Sequence, residues 1–73
     1  MSYDLIFRYF DAETGQALTE KAAQVKSLVD CASCVRAFIL NHELSASEWI
    51  AGEVYAETGD LVSRLAYNGQ AYK

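Results

Sequence analysis

Proline is missing from this 73-residue chain, and basic residues are scarce: six Lys and Arg stand against ten Asp and Glu, a formal charge of −4. Without proline there is no Pro-rich linker, which fits a single compact unit. The shortage of cations rules out a Lys/Arg stripe able to neutralise phosphates, so no direct nucleic-acid binding is expected. An anionic membrane surface is disfavoured for the same reason. No apolar run approaches the ~20 residues of a membrane span. Residues 1–8, MSYDLIFR, lack a basic start followed by a long apolar core, so no signal peptide is expected. The expected compartment is the cytoplasm, the protein's own or a host's.

Reactive residue types are equally sparse. Cysteine occurs twice, as Cys31-Ala-Ser-Cys34, and histidine once, as His42. A redox Cys-x-x-Cys sits at a helix N-terminus, where the dipole favours the thiolate. Here the pair is expected at the end of a helix, beside Asp30, where both influences oppose ionisation. A zinc site needs four ligands, and the two thiols and one imidazole would still require a carboxylate. No serine or cysteine is placed beside His42 by any motif, so a catalytic triad has no support. The glycines are spaced as turn or strand glycines, and none forms a phosphate-cradling loop. No catalytic residue, no metal site and no cofactor is expected, and an enzyme is not the expected class.

What the chain does carry is apolar patterning. Hydrophobic residues make up 52% and charged residues 22%, a globular balance rather than a disordered one. Seventy-three residues form one domain, 1–73, because a second would be too small to hold its own core. Tyr3, Leu5, Phe7 and Tyr9 alternate along a first strand and should form its buried face. Asp11 to Gln16 reads as a loop, with Gly15 taking the positive φ. Leu18, Ala22, Val25, Val29 and Ala32 recur at helical spacing and predict a helix over 18–32, with Thr19 as N-cap.

Beyond residue 33 the period shifts toward two. Strands are expected over 34–40, 49–55 and 61–67, the last two flanking the turn Glu57-Thr-Gly-Asp. Asn68-Gly69 gives the strongest type I′ hairpin signal, followed by a short edge strand over 70–73. Ser45-x-x-Glu48 also matches a capping box that would open a short helix at 48–56. Gly52 argues for a strand there, since glycine weakens a helix interior. The expected class is α+β: one helix packed on a small antiparallel sheet, in the order β-α-β-β-β with room for a fifth short strand. One helix covers one face, so part of the aromatic set Phe38, Trp49, Tyr55 and Tyr67 is expected on the other.

Charge supplies the functional expectation. No Lys or Arg falls between Arg36 and Arg64, whereas Glu43, Glu48, Glu53, Glu57 and Asp60 do. Such carboxylates could gather along one edge of the sheet and dock on a basic groove, with Trp49 and Tyr55 as short-range anchors. A charged edge that merely resists aggregation would look the same. In form (small, acidic, proline-free, without a catalytic constellation) the chain resembles the inhibitor proteins of phages and mobile elements, among them anti-CRISPR-like DNA mimics. That resemblance implies a non-enzymatic binding protein that occupies a basic, nucleic-acid-binding groove of a larger partner. A homodimer pairing through its aromatic sheet face is the alternative, with a Cys31/Cys34 thiol or metal protein behind it.

Overall fold

The computed structural model describes residues 2–72. Among them the chain runs β1 (Tyr3–Phe10), β2 (Ala17–Val25), α1 (Leu28–Asn41), β3 (Trp49–Ala56), β4 (Leu61–Leu65) and β5 (Ala71–Tyr72). The strands form one sheet in the order β2-β1-β3-β4-β5, every neighbouring pair antiparallel. The α+β class therefore holds, with one helix laid on one face of an antiparallel sheet. The order along the chain differs, however, because a strand rather than the helix follows β1. Lys73, the last residue of the expected edge strand, lies outside the described residues.

Local chemistry explains most of the elements. In β1, Leu5, Phe7 and Tyr9 are buried, as their alternation requires. The β1–β2 loop closes with the Gly15 N–H donating to Asp11 O (2.7 Å) and the Asp11 N–H to Gln16 O (2.9 Å), Gly15 at φ 74°. The β3–β4 and β4–β5 hairpins share one design. Ala56 pairs with Asp60 O and Ala66 with Gln70 O, and each three-residue loop ends on a left-handed glycine, Gly59 or Gly69. Asn68 keeps a negative φ, so the Asn68-Gly69 turn is not type I′; its side chain instead accepts from the Gln70 N–H at 2.9 Å.

The helix expected over 18–32 and the strand expected over 34–40 are both displaced. Residues 17–25 pair along the free edge of β1, with Leu18 and Ala22 facing inward opposite Tyr9 and Leu5. Gln24 takes φ 60°, and the register shift beside it carries Val25 back to the inner face. A stripe with helical spacing is thus also satisfied by even positions plus one bulge. The helix begins instead at the Ser27 cap, whose Oγ accepts from the Asp30 N–H at 3.1 Å, so Thr19 is not the N-cap. Cys31, Val35 and Ile39 form its buried stripe. The β-branched and aromatic residues of 35–39 suit a strand by propensity, but the four-residue spacing of this stripe suits the sheet better.

Aromatic packing joins the two layers. Phe38 stacks on Phe7, ring centroids 4.2 Å apart and 3° from parallel, and meets Tyr9 edge-on at 5.2 Å. Gly52 lets the helix sit this close, since a Cβ there would stand 2.9 Å from a Val35 methyl. Leu5, Val35 and Val54 are fully buried around it. Burial of each such side chain favours folding by roughly 1.5–3 kcal/mol.

Candidate functional site

The expected surface set divides into separate places. β3 is the central strand, not an edge, so its carboxylates do not line one rim of the sheet. Glu57 and Asp60 stand in the β3–β4 loop at one end of the molecule, where Glu57 accepts from the Ser2 N–H and Oγ. Glu43 and Glu48 flank the other end of β3. Glu53 lies between, on the face the helix leaves open.

Trp49 is corrected from a surface anchor to a core residue. It is 8% exposed, and its Nε1 donates to Leu65 O at 3.3 Å. A bulge causes this: Arg8 pairs with Ala51 and Tyr9 with Trp49, so Ile50 is the extra residue. The two expected anchors, Trp49 and Tyr55, are thereby split between faces, and Trp49 joins Phe7 and Phe38 under the helix. The aromatic sheet face is the covered one. Tyr55 alone of the two expected anchors lies on the open face.

The open face is held by charge. Arg8 Nε donates to Glu53 Oε1 at 2.7 Å, and Tyr55 Oη donates to the same oxygen at 3.1 Å. Burial alone would push the Glu53 carboxyl up. The hydrogen bonds from Arg8 and Tyr55, with the charges of Arg8 and Arg64, outweigh it and hold Glu53 below the usual carboxylate range. Lys21 approaches Asp4 at 3.6 Å on the same face. Glu53 is therefore paired within its own face, with Arg8 and Tyr55.

The pole beyond Phe10 is different. An open cleft of about 350 Å³ has Tyr9, Phe10, Leu18 and Leu44 in its walls, with Asp11, Glu13, Glu43 and Glu48 around it and His42 beside them. No Lys or Arg among the described residues lines it. Three segments bring these carboxylates together. Asp11 and Glu13 come from the β1–β2 loop, where the Asp11 carboxylate accepts from the Glu13 N–H and Thr14 Oγ1. Glu48 closes a single turn by accepting from the Ser45 N–H (2.7 Å) and Oγ (3.0 Å), the capping-box pattern without a following helix.

Glu43 sits where the helix ends. Its φ is 52°, in the left-handed region, while the Leu44 N–H closes on Ile39 O at 3.0 Å. Glycine is the usual residue at this cap, and a side chain costs about 1 kcal/mol there. Glu13 and Glu43 are both exposed. Behind the cleft, Tyr9 Oη donates to Glu20 Oε2 at 2.7 Å; that bond, with burial and the Glu20 charge, pushes the phenol up to about 12. His42 Nε2 lies 3.8 Å from the same carboxylate oxygen.

The thiols are placed differently than expected. Cys31 is the fourth residue of α1, near its N-terminus rather than at its far end, so the expected opposition of the helix dipole does not apply. Burial first, then Cys34 and Asp30, push its thiol up to about 11, so it is protonated at neutral pH. No group of three or more His, Cys, Asp or Glu among the described residues is arranged to hold a metal ion.

Asp11 and Glu13 were not among the residues singled out by charge, because they lie before Arg36. The loop containing them is legible, but its neighbours depend on β1 pairing with β3. No helix among the described residues is long and apolar enough to cross a membrane. No family model, curated protein or solved structure matches the chain.

Proposed function

We propose that this protein is a non-enzymatic binding protein whose acidic pole docks on a basic surface of a larger protein. The observation that carries this reading is the segregation of charge. Four carboxylates, Asp11, Glu13, Glu43 and Glu48, surround one cleft with apolar walls and, among the described residues, no lining Lys or Arg, whereas Glu53 on the sheet face is neutralised by Arg8. A Lys or Arg side chain entering such a cleft would lay its stem on Phe10 and Leu44 and set its head among the acids. The left-handed backbone at Glu43 adds support, since a stability cost is accepted there to carry a carboxylate. A nucleic-acid-binding groove is the kind of basic surface this pole would occupy, which makes inhibition by occupancy the expected biological role.

The test uses a defined cationic probe, an oligo-arginine peptide, titrated calorimetrically at low and high salt. Glu13→Lys/Glu43→Lys should weaken binding by about tenfold or more, and salt should weaken the wild-type complex. Glu57→Lys/Asp60→Lys, at the opposite end, makes the same change in net charge and should weaken it by less than about threefold. Equal losses in the two variants would mean that overall charge, not the pole, attracts cations, and would remove the basis of this reading.

A further inference from the structure

Among the described residues that line the acidic cleft, His42 alone is of a type that turns from neutral to cationic near neutral pH. Its backbone N–H closes α1 by donating to Phe38 O at 3.0 Å. Its ring is fixed as well, stacked on Phe38 with centroids 4.0 Å apart and standing 5.9 Å from the Tyr9 ring. Nδ1 lies 3.0 Å from Phe38 O. A carbonyl oxygen only accepts, so Nδ1 carries the proton of the neutral ring. Nε2 of that ring is then a bare lone pair facing Glu20 Oε2 at 3.8 Å. Two acceptors are thus set against each other, and Tyr9 Oη, donating at 2.7 Å, holds the Glu20 oxygen in place. A second proton, on Nε2, turns this opposition into an ion pair.

We infer that His42 is a proton-operated control on the acidic pole. Neutral, it leaves the carboxylates to a partner's cation; protonated, it sets a resident cation among them and weakens docking. The inference rests on the pole being the docking site proposed above. The groups around the ring all act in one direction. Glu20 on β2 and the adjacent Glu43 are carboxylates, and Tyr9 on β1 gives its proton to Glu20. Asp11 and Glu13 from the β1–β2 loop and Glu48 ahead of β3 surround the same cleft. The ring also stands at the C-terminal end of α1, the end that attracts a cation.

The protonated imidazole and a partner's Arg or Lys head therefore compete for one set of charges. Two unit charges about 6 Å apart at a solvated cleft repel enough to change affinity by about three- to tenfold. The coupling is reciprocal, so a cation docked at the pole expels the second proton from His42. His42 is 39% exposed in its side chain, which lets that proton exchange with water.

The probe is the oligo-arginine peptide, whose guanidinium groups stay charged throughout, titrated calorimetrically at fixed ionic strength. Wild-type affinity should fall about three- to tenfold between about pH 8 and about pH 5.5. In His42→Gln the same ratio should stay under about twofold, and His42→Lys should bind weakly at both pH values, with far-ultraviolet spectra confirming the fold of each. Repeating the titration at about pH 6.5 in two buffers of different ionisation enthalpy should show a fraction of a proton released per wild-type complex and none in His42→Gln. A wild-type affinity that does not change with pH overturns the inference. So does a His42→Gln variant that keeps the wild-type ratio, which would assign the titration to the carboxylates. Binding that responds to Glu13→Lys/Glu43→Lys but not to His42 leaves the docking site standing and removes only its control, whereas absence of binding at both pH values removes the two together.

Discussion

The two faces of the sheet solve the problem of burying β3 in opposite ways. Under the helix, Phe7, Phe38, Tyr9 and Trp49 form a packed aromatic layer with no buried side-chain polar atom left unpaired among the described residues. On the open side, Arg8, Glu53 and Tyr55 cover the same strands with hydrogen-bonded charge. The first face derives its stability from shape and area, which respond steeply to lost volume. The second has modest, salt-screened contacts. A small domain with one helix can dry only one face, so the other is kept wet by design of its side chains rather than left apolar.

That contrast can be tested at three positions. Phe7→Ala, removing the ring that stacks on Phe38, should destabilise by about 3–5 kcal/mol in denaturant titration, enough to unfold a domain this small. A loss well under 1 kcal/mol would mean that the aromatic layer is not the principal source of stability. Gly52→Ala sets a methyl 2.9 Å from a Val35 methyl. It should cost about 1–3 kcal/mol, because helix and strand must separate.

The open face should give the smallest effect, and one that depends on pH. Glu53 is held below the ordinary glutamate value. Its contribution is therefore present above the unfolded value of about 4.3 and is lost as pH falls through the lower, folded one. Glu53→Gln should move the melting temperature by at most about 4 °C at pH 7 and should flatten the acid limb of the stability curve. If Glu53→Gln matched Phe7→Ala in its effect, the two faces would not differ as described.

Much of the frame could be read from the residues. The alternation of Tyr3 to Tyr9, the loop at Gly15 and the hairpin at Gly59 are local signals, and the structure follows them. The helix was misplaced because two patterns overlap between residues 18 and 40. Leu18, Ala22 and Val25 satisfy either a helix or a bulged strand, and only the free edge of β1 decides for the strand. Cys31, Val35 and Ile39 have the four-residue period of a helix, but Val35 and Ile39 are β-branched and suggest a strand. The bulge at Ile50 leaves no mark in the sequence, yet it sends Trp49 inward. Of the acids expected to act together, Glu43 and Glu48 do share a pole; Asp11 and Glu13 join them through pairing between strands some forty residues apart in the chain.

The position of β1 has a consequence for time rather than for shape. It precedes the other four strands in the chain, yet it lies inside the finished sheet, with Leu5 opposite Val54 and Ile6 opposite Glu53. Its outer flank is filled by the neighbouring hairpin within a few residues, while its inner flank waits for β3, some forty residues further along. Folding should therefore be limited by that long closure, slower than the length of the chain alone suggests. Until β3 arrives, one edge of β1 remains open to whatever strand reaches it first.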